Sequence, residues 1–176
     1  MSDTLCQLQA SIDKTAYNVV QLLVDKQLKI STAESCTGGL ISAAVTAVGG
    51  ASDVFDEGIC TYSNSAKEKY LGVPHEVLET YGAVSEETAR YMASGMLKAA
   101  GSDIAVSVTG IAGPTGGTKE KPVGTVYVGI CTKERCEADL VYTNPDEAVG
   151  CDAREYIRKS TVLRALSRIE DELRKI

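Results

Sequence analysis

The stretch TAESCTGG, Thr32 to Gly39, decides how the chain is read. Residues 29–33 have the content of a short strand, and GGLISAAVTAV predicts a helix opening near Thr37 or Gly38, apolar on most sides and so buried. The eight residues thus mark a strand-to-helix junction. They also carry an acid, several hydroxyls and a thiol, far more polar chemistry than a plain turn needs.

The pattern continues on both sides. Residues 4–28 place Leu5, Leu8, Ile12, Ala16, Val19 and Leu23 on one helical face. GICTYS (58–63) reads as a strand, Ser65 to Leu71 as a short helix, and a further helix opens at Pro74 and closes at Gly82. SEETARYMASGMLKAAG (85–101) is a helix with Ser85 as N-cap and Gly101 at its end. DIAVSVTG (103–110) is a strand that feeds a loop of glycines, prolines and lysines. TVYVGICT (125–132) and CEADLVYT (136–143) form an antiparallel hairpin across KER. A last helix covers about 149–174, with Val162, Leu166, Ile169 and Leu173 facing inward. Early alternation and a late hairpin give an α/β fold: a three-layer α/β/α sandwich with a mixed, mostly parallel sheet of about five strands, one domain over 1–176. Ligands of such sheets bind beyond the strand C-termini, where strand order reverses. SCTGG, TYSNSAK and TGIAGPTGG all fall at such ends.

Composition narrows the function. A chain of 176 residues with 44% hydrophobic and 24% charged content builds a core. The net charge of −6 argues against a non-specific nucleic-acid binder, but a small anionic ligand stays open. The N-terminal MSDTLCQLQASIDK has no apolar leader and no run reaches transmembrane length, so a reduced, cytoplasmic protein without a membrane partner is expected. The six cysteines are then thiols rather than disulfides, and no C-x-x-C pair occurs. His75 is the single histidine, which disfavours a His-rich zinc site and a Ser-His-Asp triad.

The glycines of the first loop, Gly38 and Gly39, would present helix-start amides to an anion. Their spacing matches neither a dinucleotide fingerprint nor a P-loop. Ser35 or Cys36 could act as nucleophile, and each needs a base. Lys67 serves if burial lowers its pKa, with Tyr62 five positions earlier to relay a proton or orient the amine. Amides near Thr37 to Gly39 could hold an oxyanion. The second glycine loop offers close backbone approach and the Thr109 hydroxyl. Arg154 and Arg158, four apart, begin the last helix, and Arg158 is expected on a solvated face.

TAESCTGG, TYSNSAK, YGAVSEET and SVTGIAGPTGGTKEKPVGTV occur in order, and together they resemble the CinA C-terminal domain family from about Thr32 to Val128, more loosely in the terminal helices. The resemblance implies a nicotinamide-nucleotide amidase. Such enzymes hydrolyse the carboxamide of nicotinamide mononucleotide (NMN) to nicotinic acid mononucleotide and ammonia, in pyridine nucleotide recycling, without metal or cofactor. By the same resemblance Ser35 is the nucleophile, Lys67 the base and Tyr62 the assisting residue. Thr109 and Gly110 bind substrate by that resemblance, and Thr37, Gly38, Gly39, Ala112 and Gly113 are added as further substrate-binding candidates of the two glycine loops. The family fold is a three-layer α/β/α sandwich, and members are commonly dimers. Full-length members add an N-terminal pyrophosphatase domain with no counterpart in these residues, so only the deamidase activity is expected. One stretch departs: the family's G-D-R-x-x-V-R is DAREYIR here, Asp152 and Ala153 replacing its glycine and aspartate. Arg154 aligns as a phosphate partner, while the changed loop puts phosphate affinity in question. A nucleotide-binding module without catalysis, and a Ser-Lys amidase for another amide, are the alternative readings.

Overall fold

The computed structural model describes residues 2–176. Its framework is one sheet of five strands: β1 (Ile30–Glu34), β2 (Phe55–Cys60), β3 (Ile104–Gly110), β4 (Thr125–Thr132) and β5 (Cys136–Tyr142). The order is β2-β1-β3-β4-β5. β2, β1 and β3 are parallel neighbours, while β4 pairs antiparallel with both β3 and β5. The sheet is mixed, as expected.

Side chains alternate along β1 and bury on both faces. Ile30 joins a core with α1 (Asp3–Lys26), α2 (Leu40–Thr46) and α6 (Ala153–Leu173). Ala33 joins the opposite core with α3 (Asn64–Leu71), α4 (His75–Tyr81) and α5 (Glu86–Ala100). These are the three layers. Fully enclosed aliphatic residues such as Leu23, Ile41, Leu166 and Ile169 each contribute about 1.5–3 kcal/mol by leaving water. The connection from β1 to β2 runs through α2 on one face. The connection from β2 to β3 returns through α3, α4 and α5 on the other. Strand order therefore reverses at β1, and the crevice opens beyond the ends of β1 and β3.

Several boundaries differ from expectation. α2 begins at Leu40, because Gly38 (φ 62°) and Gly39 (φ 95°) are left-handed and form the turn before it. Only Ile41 and Val45 of that helix are fully buried. β2 starts at Phe55, so Gly58 is a mid-strand residue and not a boundary. A Cβ there would lie 2.6 Å from Ser42 Oγ and 2.8 Å from Thr32 Oγ1, so glycine is what lets α2 close on the sheet. α6 starts at Ala153: Gly150 turns the chain (φ 69°), and Asp152 caps the helix by accepting the Glu155 N–H at 2.8 Å. A short 3-10 turn at Pro145–Glu147 was not foreseen.

The β4–β5 hairpin sets Cys131 opposite Cys136 with 4.0 Å between Cα atoms, which brings their two sulfurs together. Cys6, Cys36, Cys60 and Cys151 are free. Among the described residues no helix is long and apolar enough to cross a membrane.

Candidate active site

Alternation at the end of β1 separates two functions. Glu34 continues the face of Ile30 and Thr32 and turns toward α2. Ser35, one residue later, turns toward the α3 layer. The Ser35 N–H is held by Val108 O at 3.1 Å, which ties the nucleophile candidate to β3. α3 is capped by Ser63, whose hydroxyl accepts the Ala66 N–H, and its first turn delivers Lys67 inward.

Lys67 is only 1% exposed. Its Nζ donates to Thr61 O at 2.8 Å, Ser35 Oγ at 3.2 Å and Tyr62 O at 3.4 Å. Burial disfavours the ammonium and lowers its pKa to about 8. An amine of that kind is substantially neutral in mildly alkaline water and sits in contact with a hydroxyl it can deprotonate. Beside it, burial raises the Cys36 thiol to about 11, which makes the sulfur a poor nucleophile. His75 takes no part in these contacts: it is exposed, and its Nδ1 is hydrogen-bonded to Glu68 at 2.9 Å.

The helix-start amides have a different occupant from the one expected. The buried Glu34 carboxylate accepts the N–H groups of Gly39 (2.9 Å), Ile41 (3.1 Å) and Ser42 (2.9 Å), together with the Ser42 hydroxyl (2.8 Å). The anion at the start of α2 is thus the chain's own. The turn before it is closed by Gly38 N–H to Ser35 O at 3.1 Å. Among the described residues the N–H groups of Cys36 and Thr37 bond to no backbone carbonyl. Sequence reasoning missed Glu34, although an acid just before a glycine turn and a helix is a signal for such a cap.

Arg158 corrects a second expectation. It does not sit on a solvated face. Its Nε donates to Cys36 O at 3.1 Å and its Nη2 to Thr37 O at 2.7 Å, so α6 reaches over the turn that follows Ser35. Arg154, one helical turn earlier, donates to Gly113 O and, at 3.3 Å, to the Tyr62 hydroxyl. Tyr62 is largely exposed, and its phenol is held by Arg154 while its backbone carbonyl meets Lys67. Ser35, Lys67, Tyr62, Gly113 and Arg154 are thereby linked.

Other candidates take supporting positions. Thr109 is buried and its hydroxyl donates to Ala83 O at 2.6 Å. Thr37 is fully buried, and its hydroxyl has no partner among the described residues. Gly110 packs on Val126, where a Cβ would come within 2.5 Å of a methyl group. Gly38 is exposed, Gly39 half-buried, and Ala112 and Gly113 buried at the start of the second loop. That loop is pinned by Lys121, whose Nζ donates to Tyr81 O (2.9 Å) and Val84 O (2.7 Å), a contact the sequence did not signal. Among the described residues no group of three or more His, Cys, Asp or Glu side chains is placed to hold a metal. A cleft of about 560 Å³ lies elsewhere, between Lys26, Asp103, Thr132, Arg135 and Lys175, and includes none of these residues.

The CinA C-terminal domain profile matches residues 12–173. The chain belongs to the CinA C-terminal domain family. Among CinA relatives, a protein of Caldicellulosiruptor saccharolyticus named for competence-damage induction is 61% identical over 149 residues, which is 82% of this chain and 36% of that protein. One of Clostridium novyi, similarly named, is 49% identical over 153 residues, 87% of this chain and 35% of the other. The chain thus spans about a third of the length of these relatives. The crystal structure of competence/damage inducible protein CihA from Agrobacterium tumefaciens superposes with a TM-score of 0.86 at 41% identity, over 93% of this chain and 96% of that one. A CinA superfamily protein from Klebsiella pneumoniae gives 0.86 at 31% identity, over 94% and 99%.

Proposed function

We propose that this CinA-family domain is an amidase that hydrolyses the carboxamide of nicotinamide mononucleotide by a Ser35–Lys67 mechanism. The observation that carries the chemistry is the buried Lys67 amine, its pKa lowered to about 8, 3.2 Å from Ser35 Oγ. The choice of NMN rests on the resemblance of the four sequence motifs to the nicotinamide-nucleotide amidases.

Neutral Lys67 takes the hydroxyl proton as Ser35 Oγ bonds to the carboxamide carbon. The carbonyl electron pair moves to oxygen, and the Cys36 and Thr37 N–H groups stabilise that charge. The C–N bond breaks as the Lys67 ammonium returns its proton to the departing nitrogen, releasing ammonia and leaving an acyl ester on Ser35. Water, deprotonated by Lys67, attacks the ester. The proton then passes back to Ser35 Oγ as the acid leaves. Arg154 and Tyr62 flank the nucleotide. On substrate entry Arg154 exchanges its carbonyl partner, Gly113, for the phosphate, a stronger charge-assisted acceptor.

The test is ammonia release from NMN with EDTA present, for the wild type beside Ser35→Ala. Release by the wild type alone is expected. A folded wild type that releases none from NMN but some from another amide overturns the substrate and keeps the dyad. Equal release by both proteins overturns the dyad.

A further inference from the structure

The nucleophile turn is gripped by two charges of opposite sign. Glu34 binds N–H groups on the C-terminal side of the turn, at Gly39, Ile41 and Ser42. Arg158 binds carbonyls inside it, at Cys36 and Thr37. A trans peptide is planar, with its N–H opposite its C=O. The carbonyl of Cys36 belongs to the same peptide as the N–H of Thr37. A guanidinium on that carbonyl therefore turns the Thr37 N–H away from α6. The next peptide is fixed at both ends, with Thr37 O on Arg158 and the Gly38 N–H on Ser35 O. What remains free of a backbone acceptor among the described residues is the pair of N–H groups directly after Ser35. An arginine fork suits this task because its donors are coplanar and rigid, so both carbonyls are fixed relative to each other.

We infer that Arg158 is a positioning residue for the oxyanion hole of Ser35: it orients the Thr37 N–H directly, through Cys36 O, and the Cys36 N–H indirectly, because the peptide it holds at Thr37 O carries the Gly38 N–H that binds Ser35 O. This inference rests on the Ser35–Lys67 reading and extends it to a residue on the last helix. Arg158 does not touch substrate and acts only through the peptides it holds. Its loss therefore lowers kcat without weakening substrate binding, and leaves the pH midpoint set by Lys67 in place.

The experiment uses the whole chain. Wild type, Ser35→Ala, Arg158→Met and Arg158→Lys are compared by NMN turnover across pH, by thermal denaturation, and by the rate of labelling with a fluorophosphonate, whose phosphoryl oxygen occupies an oxyanion hole. Arg158→Met is expected to lose about 100-fold or more in kcat, the size seen when an oxyanion donor is removed. KM stays within about threefold on the same reasoning. Labelling falls in parallel, and the pH midpoint is unmoved. Arg158→Lys keeps the charge but not the fork, and recovers activity only in part. If Arg158→Met does not fold, Arg158→Lys decides: a kcat lowered tenfold or more at unchanged KM supports the inference, and full kcat overturns it. Wild-type labelling and turnover in Arg158→Met, or a loss confined to KM, also overturns it and leaves the dyad standing. A wild type that neither labels nor releases ammonia removes the Ser35 reading, and this inference with it.

Discussion

Lys67 Nζ stands 3.2 Å from Ser35 Oγ across 32 positions of sequence. The pair meets because β1 and β2 end side by side, Ser35 follows one, and α3 begins just after the other. On the proposed mechanism neither residue is replaceable. Ser35→Ala and Lys67→Ala are each expected to lower kcat by about 1,000-fold or more, and the double variant to lose little beyond either single one, because the two act as a unit. Single-turnover ammonia release measures all three.

On the proposed mechanism the lowered pKa of Lys67 sets a pH dependence of activity. The neutral amine is then the active form, so kcat/KM is expected to rise with pH and level off above about 8. A pH–rate profile on NMN, in buffers of constant ionic strength, checks the midpoint.

The same shift has a sign for stability. The unfolded chain binds the Lys67 proton up to the ordinary value of 10.5, and the folded chain releases it near 8. Between those values the unfolded state carries more protons, so this residue's contribution to folding grows as pH rises through that window. Below about 8 the cost of burying the ammonium is fully present. Denaturant titrations of wild type and Lys67→Met from pH 7 to 10 are expected to show the difference moving in favour of the wild type.

Glu34→Gln leaves the shape of the side chain and replaces one acceptor with a donor. In a pocket lined by the N–H groups of Gly39, Ile41 and Ser42, that donor faces backbone donors whichever way the amide is turned, and only the Ser42 hydroxyl can accept from it. The expected loss is about 3 kcal/mol or more, which for a chain of this size lowers Tm by roughly 6–12 °C. Scanning calorimetry reads it directly, and an unchanged Tm contradicts the account of the α2 cap.

Gly95 is where α5 passes α3 at closest range. An added Cβ would lie 1.9 Å from Leu71 O, a backbone atom that cannot rotate aside. Gly95→Ala is expected to destabilise by at least about 2 kcal/mol. It also displaces α3 and with it Lys67, so activity falls more than the folded fraction does. Parallel denaturation and turnover measurements separate the two effects.

Arg154→Ala removes the guanidinium that joins Gly113 to the Tyr62 phenol while leaving Lys67 and Ser35 in contact. KM for NMN is expected to rise about tenfold or more, with a smaller change in kcat. An unchanged KM excludes phosphate binding by Arg154.

Elements with strong period and clear caps were legible in the sequence. β4 covers Thr125–Thr132 as expected, and α5 lies between Ser85 and Gly101, because hydrophobic alternation and capping are local properties. β2 was misplaced because Gly58 looks like a strand boundary. Its real constraint is the approach of Ser42 and Thr32, which only the assembled fold supplies. The site divides in the same way. Ser35 and Lys67 stood out because their chemistry is unusual at a strand end, and the structure brings them into contact. Glu34, Arg158 and Lys121 did not stand out, since each acts on backbone groups distant in sequence or in layer. A spacing of four on a helix says that Arg154 and Arg158 share a face, but not that Cys36 and Thr37 lie beneath the second of them.

The site is assembled from two separate runs of chain. Glu34 to Lys67 carries the hydroxyl, the amine and the cap on α2, whereas Gly113 and Lys121 arrive after β3 and Arg154 only with α6. On the proposed mechanism the reacting side chains lie on the first run and the groups that flank the substrate on the second, with Arg158 of the second run reaching back to the turn after Ser35. Changes in the later run that spare Arg158 would then redirect the domain to a new amide without redesigning the bond-breaking step. Proteins that share this fold and dyad can diverge in what they consume while keeping how they consume it.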